Sequence, residues 1–240
     1  MKDTLLSYLD GQSLEIVREV GRLAQTLRMK AYLVGGPVRD LALKRPNSDL
    51  DISVEQKGIA LAQAFAALRH GKVVTYPAFG TATVVLPGGR HVDFATARKE
   101  VYARPGAFPK VIFAKIKDDL LRRDFTVNAM AVAIGPRSWG KLVDPFGGLD
   151  DARAKRIRVL HARSFLDDPT RILRAARFIS RLHFFVERGT FKLLKAAVRA
   201  GALDTIKPQR SLKEYDKILK EDHPQPALKR LKSWGIYGAH

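Results

Sequence analysis

Three aspartates are spaced so that they could hold a divalent cation. Asp49-Leu50-Asp51 opens a run of β-forming residues, and the two-residue period of a strand puts positions i and i+2 on one face. Two carboxylates aimed at one point repel unless a cation lies between them, and Mg2+ accepts one or two carboxylates together with substrate phosphates. Read alone, the pair also suits a solvated surface turn. Asp93 adds a third carboxylate, in mid-strand between Val92 and Phe94, where an unpaired charge is costly. If its strand neighbours that of Asp51, the three could form the clamp used for in-line phosphoryl transfer. The alternative is an ion pair with Arg90 or Arg98.

Four further features could serve the same chemistry. Gly35-Gly36, thirteen residues before Asp49, precedes a helix that carries Arg39 and Asp40. Such a turn offers backbone N–H groups to phosphate, or is simply a tight strand-to-helix connection. Arg122-Arg123-Asp124 presents two guanidiniums, suited to phosphate or to a solvated basic face. Asp167-Asp168-Pro169-Thr170-Arg171 has the signature of a helix start, with an acidic cap before proline. Beyond it Arg171, Arg174, Arg177 and Arg181 recur every three or four residues, a basic stripe opposite Ile172, Leu173, Ala176 and Ile179 that could equally be solvated. Asp168 and Arg171 also suit base reading. A carboxylate accepts from an exocyclic amine and a guanidinium donates to ring acceptors, so the pair would admit cytosine and adenine and reject uracil and guanine.

The elements that must position these residues follow from periodicity. An amphipathic helix is expected over 5–29, broken near Gly11; then strand 31–34, helix 38–43, strand 50–54 and helix 59–68. Runs 81–86 and 91–95 flank Pro87-Gly88-Gly89-Arg90 as a hairpin. Residues 101–111, with Pro105, Gly106 and Pro109, read as a mobile loop, 127–134 as another apolar stretch, and 144–148 as a turn-rich connector. Helices are then expected at 169–182, 190–200, 212–220 and 226–233, with no more strands. The fold class is therefore α+β, with a mixed α/β domain over 1–145 that carries the carboxylates and an all-helical basic domain over 146–240.

Composition narrows the partners. The chain has 240 residues and a formal charge of +19, which attracts a polyanion. Residues 1–150 hold 22 Lys and Arg against 15 Asp and Glu, net +7, and residues 151–240 hold 21 against 9, net +12. No apolar run approaches the roughly 20 residues of a membrane span. Cysteine is absent, which excludes disulfides and thiolate metal sites. The first ten residues lack the basic, apolar and small-residue regions of a secretory signal, so a cytoplasmic protein without membrane attachment is expected.

Taken in order, six segments resemble the class II tRNA nucleotidyltransferases and the bacterial poly(A) polymerases of the polymerase-β superfamily. They are Leu33-Val-Gly-Gly-Pro-Val-Arg-Asp40, Ser48-Asp-Leu-Asp-Ile-Ser53, the stretch from Val92 to Glu100, the stretch from Arg122 to Ala131, Asp144-Pro-Phe-Gly-Gly-Leu149, and the stretch from Asp167 to Phe178. The resemblance implies a polymerase-β-like head followed by a helical neck, the latter including residues 208–235. It implies Mg2+ at Asp49 and Asp51, nucleotide contacts from Gly36, Arg39 and Arg123, and a nucleotide pocket lined by Asp168, Arg171, Arg174 and Arg177, the first two reading the base. The loop at 102–111 matches the family's flexible element, linked to the switch from C to A addition. The activity implied is template-independent transfer of CMP and AMP from CTP and ATP to the 3′ end of tRNA, releasing pyrophosphate. CC-adding, A-adding and poly(A)-polymerase variants, a non-catalytic RNA-binding remnant, and a nucleotidyltransferase acting on a small hydroxylated molecule are the alternatives. The chain departs from many members by Asp167 in place of Glu, and it matches the head and neck rather than the long helical body and tail.

Overall fold

The computed structural model describes residues 4–237; residues 1–3 and 238–240 lie outside the described residues. The strands are β1 Lys30–Val34, β2 Asp51–Glu55, β3 Lys72–Tyr76, β4 Thr81–Val85, β5 His91–Thr96, β6 Arg98–Val101, β7 Lys110–Phe113, β8 Ala131–Ala133, β9 Leu142–Val143, β10 Arg156–Ile157 and β11 Phe185–Val186. The helices are α1 Gly11–Thr26, α2 Gly36–Ala42, α3 Gly58–Leu68, α4 Ile116–Leu121, α5 Gly148–Arg153, α6 Ser164–Asp167, α7 Thr170–Leu182, α8 Arg188–Arg199, α9 Pro208–Leu219 and α10 Gln225–Ser233.

The chain divides into two compact units. The first contains the residues up to Lys99, Val111–Arg123 and Val127–Asp150. Its centre is a seven-stranded sheet in the order β3-β4-β5-β2-β1-β8-β9. Every pair in it is antiparallel except β2 and β5, which run parallel. Apolar positions of the sheet and of α1 and α3 form one core, including Val20, Leu33, Ile52, Phe65, Val84 and Phe94. The expected break in the first helix falls at Asp10, whose carboxylate accepts the Ser13 N–H at 2.8 Å and so caps α1. Inside α1, Gly21 lets the helix approach the Ile134 carbonyl, which a Cβ would run into. Helix α2 begins at Gly36, two residues earlier than periodicity suggests, because Pro37 fits a first turn whose N–H is unpaired in any case.

Six strands escaped the sequence reading: β3, β6, β7, the two-residue β9, and β10 and β11 of the later chain. β3 is an edge strand in which no residue is fully buried, so its Lys-Val-Val-Thr-Tyr carries no core pattern. β6 and β7 form a two-stranded ribbon, which shortens the loop expected over 101–111 to the residues between them.

The second unit contains Glu100–Lys110, Asp124–Thr126 and the residues from Asp151 onward. It thus takes in two earlier segments besides the later chain. Thr126 donates its N–H to the Arg158 carbonyl at 2.9 Å and Phe125 bridges Val159, which ties 124–126 to the later chain. The four expected helices are present as α7 to α10, with α7 packed against α9 and α10. Phe178 of α7 meets Phe125 edge-on at 6.0 Å between ring centres. The expectation that strands end after 145 is corrected by β10 and β11, which pair in parallel. His183 closes α7 at φ 57, and the chain turns back there with Phe184 buried, leaving the next two residues extended beside Arg156 and Ile157.

Candidate active site

Parallel register brings Asp51 of β2 opposite Asp93 of β5. One strand further, Asp93 faces Thr83 of β4, whose hydroxyl donates to the Asp93 carboxylate at 2.5 Å. These three side chains, with Tyr76, Val34 and Arg123, line a cavity of about 310 Å³. Asp93 is not a buried charge, contrary to the reason for singling it out. Val92 and Phe94 point into the core and Asp93 stands on the open face between them. Its alternative, an ion pair with Arg90 or Arg98, is not formed among the described residues; Arg90 reaches Asp10 and Ser13 instead.

Asp49 stands apart from this pair. It precedes β2 and is exposed, and its N–H is held in a turn by the Asn47 side chain at 2.6 Å. Among the described residues no three or more His, Cys, Asp or Glu side chains gather closely enough to hold a metal. Asp49 is still near enough to be felt electrically. The Asp51 carboxyl is pushed up to about 6, chiefly by burial and also by the like charges of Asp93 and Asp49, against the lowering effect of Arg123. A carboxylate that resists ionisation beside a second carboxylate is a donor pair suited to a hard divalent cation together with substrate oxygens.

The glycine turn belongs to the same site. Gly35 has φ 76, and a Cβ on it would stand 2.6 Å from Arg123 Nη1 and 3.8 Å from Asp51 Oδ2. Only glycine leaves room there for the guanidinium beside the carboxylate. Arg123 is held by Asp119, a fully buried acid missed in the sequence, which accepts from Arg123 at 3.2 Å and from Arg122 at 2.7 Å. Its position three and four residues before the two arginines was the available signal. Arg122 and Arg123 are therefore anchored, not a solvated pair. Arg39 is buried. It bonds Asp40 at 2.9 Å and Asn128 at 2.6 Å, and Asp40 in turn accepts from Asn47 at 2.8 Å. This chain braces the segment that leads to Asp49, and places Arg39 behind the turn and outside the cavity's lining.

In the second unit, Asp168 plays the capping part read from its sequence. Its carboxylate accepts the Thr170 N–H at 3.1 Å and the Thr170 hydroxyl at 2.7 Å, and also pairs with Arg210 at 2.8 Å. Arg171 is buried and donates to the Ser164 hydroxyl at 2.6 Å. Of the rest of the stripe, Arg174 and Arg177 are paired with acids and largely covered, whereas Arg181 is exposed. Arg174 binds Asp124 at 2.6 Å and Glu214 at 3.3 Å, and Arg177 reaches Glu214 at 3.7 Å and Glu221 at 3.5 Å. Burial disfavours the Arg174 charge, but Asp124 and Glu214 more than offset it and hold its pKa above the usual value. Glu214 and Arg210, both on α9, gave no signal in the sequence because the partners lie about 40 positions away.

Comparison with known proteins gives one consistent answer. Residues 31–158 match the family model described as Poly A polymerase head domain. The chain is 42% identical to a protein of Geobacter sulfurreducens named A-adding tRNA nucleotidyltransferase, over 95% of this chain and 26% of that one. It is 39% identical to a Halalkalibacterium halodurans protein of the same name, over 99% of this chain and 56% of that one. A solved structure, "The structure of CCA-adding enzyme apo form II", superposes with a TM-score of 0.92 at 42% identity, covering 97% of this chain and 55% of that one. The chain thus spans between a quarter and just over half the length of these relatives.

Proposed function

The chain belongs to the Poly A polymerase head domain family, and on that footing we propose that it transfers nucleotides from nucleoside triphosphates to the 3′ end of tRNA. The observation that carries this reading is the alignment of Asp51 with Asp93 on one sheet face, next to the Gly35 turn and Arg123. In the reaction the primer's 3′ oxygen bonds to the α-phosphorus as the bond to pyrophosphate breaks and the hydroxyl proton is lost. Asp49 and Asp51 would hold Mg2+, with Asp93 as the third carboxylate. Bound there, the ion supplies the positive charge that lowers the hydroxyl's pKa and neutralises triphosphate oxygens. Arg123, fixed by Asp119, offers its guanidinium to the triphosphate.

Asp168 and Arg171 remain our candidates for reading the amine and ring acceptors of cytosine or adenine, with Arg174 and Arg177 supporting them through α9. Both relatives above carry the name A-adding, which favours AMP from ATP onto a tRNA that already ends in CC. CMP addition is the second reading, since the Asp–Arg pair accepts both bases. No helix among the described residues is long and apolar enough to cross a membrane, and the absence of cysteine fits a cytoplasmic tRNA-processing role.

The test uses tRNA ending at the discriminator base, after C, or after CC, with each labelled triphosphate in turn and Mg2+. Extension of the CC-ending substrate by one A is expected, and Asp51→Ala and Asp49→Ala should each abolish it while leaving the fold intact. Retained incorporation in both variants would sink the mechanism. Incorporation of UTP as efficient as that of ATP and CTP would sink the base-reading pair.

A further inference from the structure

The first unit carries a second, larger cavity that shares no lining residue with the catalytic one. It measures about 700 Å³ and lies where the end of α1 and the start of β1 face the segment from β8 to β9. Its floor is apolar, with Met29, Ala31, Ala133 and Val143, and Tyr32 adds a half-buried aromatic ring. Its rim is cationic. Arg28, Lys30, Arg137 and Lys141 all line it, and no acidic residue does.

Three of these four cations have nothing to do in the fold. The side chains of Arg28, Arg137 and Lys141 make no hydrogen bond, ion pair or ring contact among the described residues. Lys30 makes one loose ion pair, at 3.7 Å to Glu55, with 70% of its side chain exposed. By contrast, Arg123, which lines the first cavity, is tied down by Asp119. Arg28 even adopts φ 56, a left-handed conformation that is uncommon outside glycine and asparagine, at the point where the chain leaves α1 for β1.

Glu55, paired with Lys30, offsets one of the four rim charges; the other three like charges repel one another, and a polyanion relieves that repulsion. An aromatic ring on an apolar floor suits a nucleobase, because every base has a face that stacks. The volume falls within the range of small-ligand pockets, roughly 300–1,000 Å³. We infer that this cleft is a second ribonucleotide site, in which Arg28, Arg137 and Lys141 hold phosphate and Tyr32 contacts the base. The ligand is either a free nucleoside polyphosphate or one nucleotide of a bound RNA strand. The inference stands apart from the transferase reading, because it uses none of the catalytic residues.

The experiment is photo-crosslinking of the full chain with 8-azido-ATP and, separately, with a single-stranded RNA carrying 4-thiouridine, followed by peptide mapping. Label is expected on the peptides that contain Tyr32 or residues 133–143. It should fall at least tenfold in Arg28→Glu/Lys141→Glu, whose exposed positions leave the melting temperature unchanged, and persist in Asp51→Ala. Labelling by 8-azido-ATP assigns a free nucleotide; labelling by the RNA alone assigns a strand. In the RNA case, replacing Arg28, Arg137 and Lys141 by Ala should reduce the slope of log affinity against log salt by about 2, from about 0.7 per phosphate contact on a single strand. Absence of label from these peptides with both probes, or equal label in the charge-reversed variant, overturns the site. Loss of transfer in Asp51→Ala with label retained would leave both readings standing independently.

Discussion

Replacing Asp119 by Asn tests whether one buried carboxylate holds the arginine side of the catalytic cavity. Asp119 is fully buried and accepts from the Arg122 and Arg123 guanidiniums, the Ser53 hydroxyl and the Arg98 N–H. The amide keeps the shape but removes the charge, leaving two guanidiniums, each about one-fifth exposed, without their common partner. Removing one partner of a buried pair costs about 3–5 kcal/mol, which for a chain of this size lowers the melting temperature by roughly 6–20 °C. The pH dependence fixes the cause. Burial alone would raise the Asp119 pKa, but Arg123 and Arg122 more than offset that and hold it below the usual carboxylate value. A depressed folded-state pKa contributes stability above the unfolded value, near 4, and loses it as pH falls through the folded value. The difference between wild type and Asp119→Asn, measured by thermal or urea denaturation, should therefore be full at pH 7 and shrink below about pH 4. Equal stability at pH 7, or a gap that does not narrow in acid, would refute the argument.

Three other outcomes are expected. Gly35→Ala forces a side chain into φ 76 and against Arg123, so nucleotide incorporation should drop more than tenfold while a circular dichroism spectrum stays native. Thr83→Val removes the hydroxyl that orients Asp93; it should lower the transfer rate several-fold with KM little changed, and Thr83→Ser should restore it. Glu214→Ala leaves Arg174, Arg177 and Lys217 short of a shared acceptor, which should lower the unfolding free energy, measured by urea denaturation, by about 2–4 kcal/mol, whereas Glu221→Ala, at the less buried end of the same ladder, should cost under about 1 kcal/mol.

Much of the fold was legible because its periods are clean. The hairpin at Pro87-Gly88-Gly89-Arg90, the four C-terminal helices and the strand–turn–helix around Gly35 lie within two or three residues of expectation except at α9, which starts four residues earlier at Pro208. What failed had a physical cause. β3 buries no side chain fully, and β10 and β11 have two residues each, too few for a period of two to register. In the site, the Asp51–Asp93 pairing could be framed only as a condition, since nothing local to either residue says which strands become neighbours. Asp49 itself lies just ahead of β2, with its N–H held by the Asn47 side chain. The fate of the α7 arginines was hidden for the same reason as the pairing: their acids sit on α9 and at Asp124, and sequence distance does not show such ladders.

The parallel joint between β2 and β5 also bears on the order of events when this chain folds. Asp51 and Asp93 are 42 positions apart, and the intervening segment must build α3, β3 and the β4–β5 hairpin before the two strands can lie side by side. Hairpins close in microseconds from local contacts, whereas a parallel crossover waits for a long loop to be drawn in. The carboxylate pair is thus among the last features to assemble, and a slip of one residue would turn Asp93 toward the core and disperse it. Partly folded chains would have helices and hairpins but no paired Asp51 and Asp93, so the gain of metal or triphosphate affinity proposed for that pair should lag behind the gain of secondary structure during refolding.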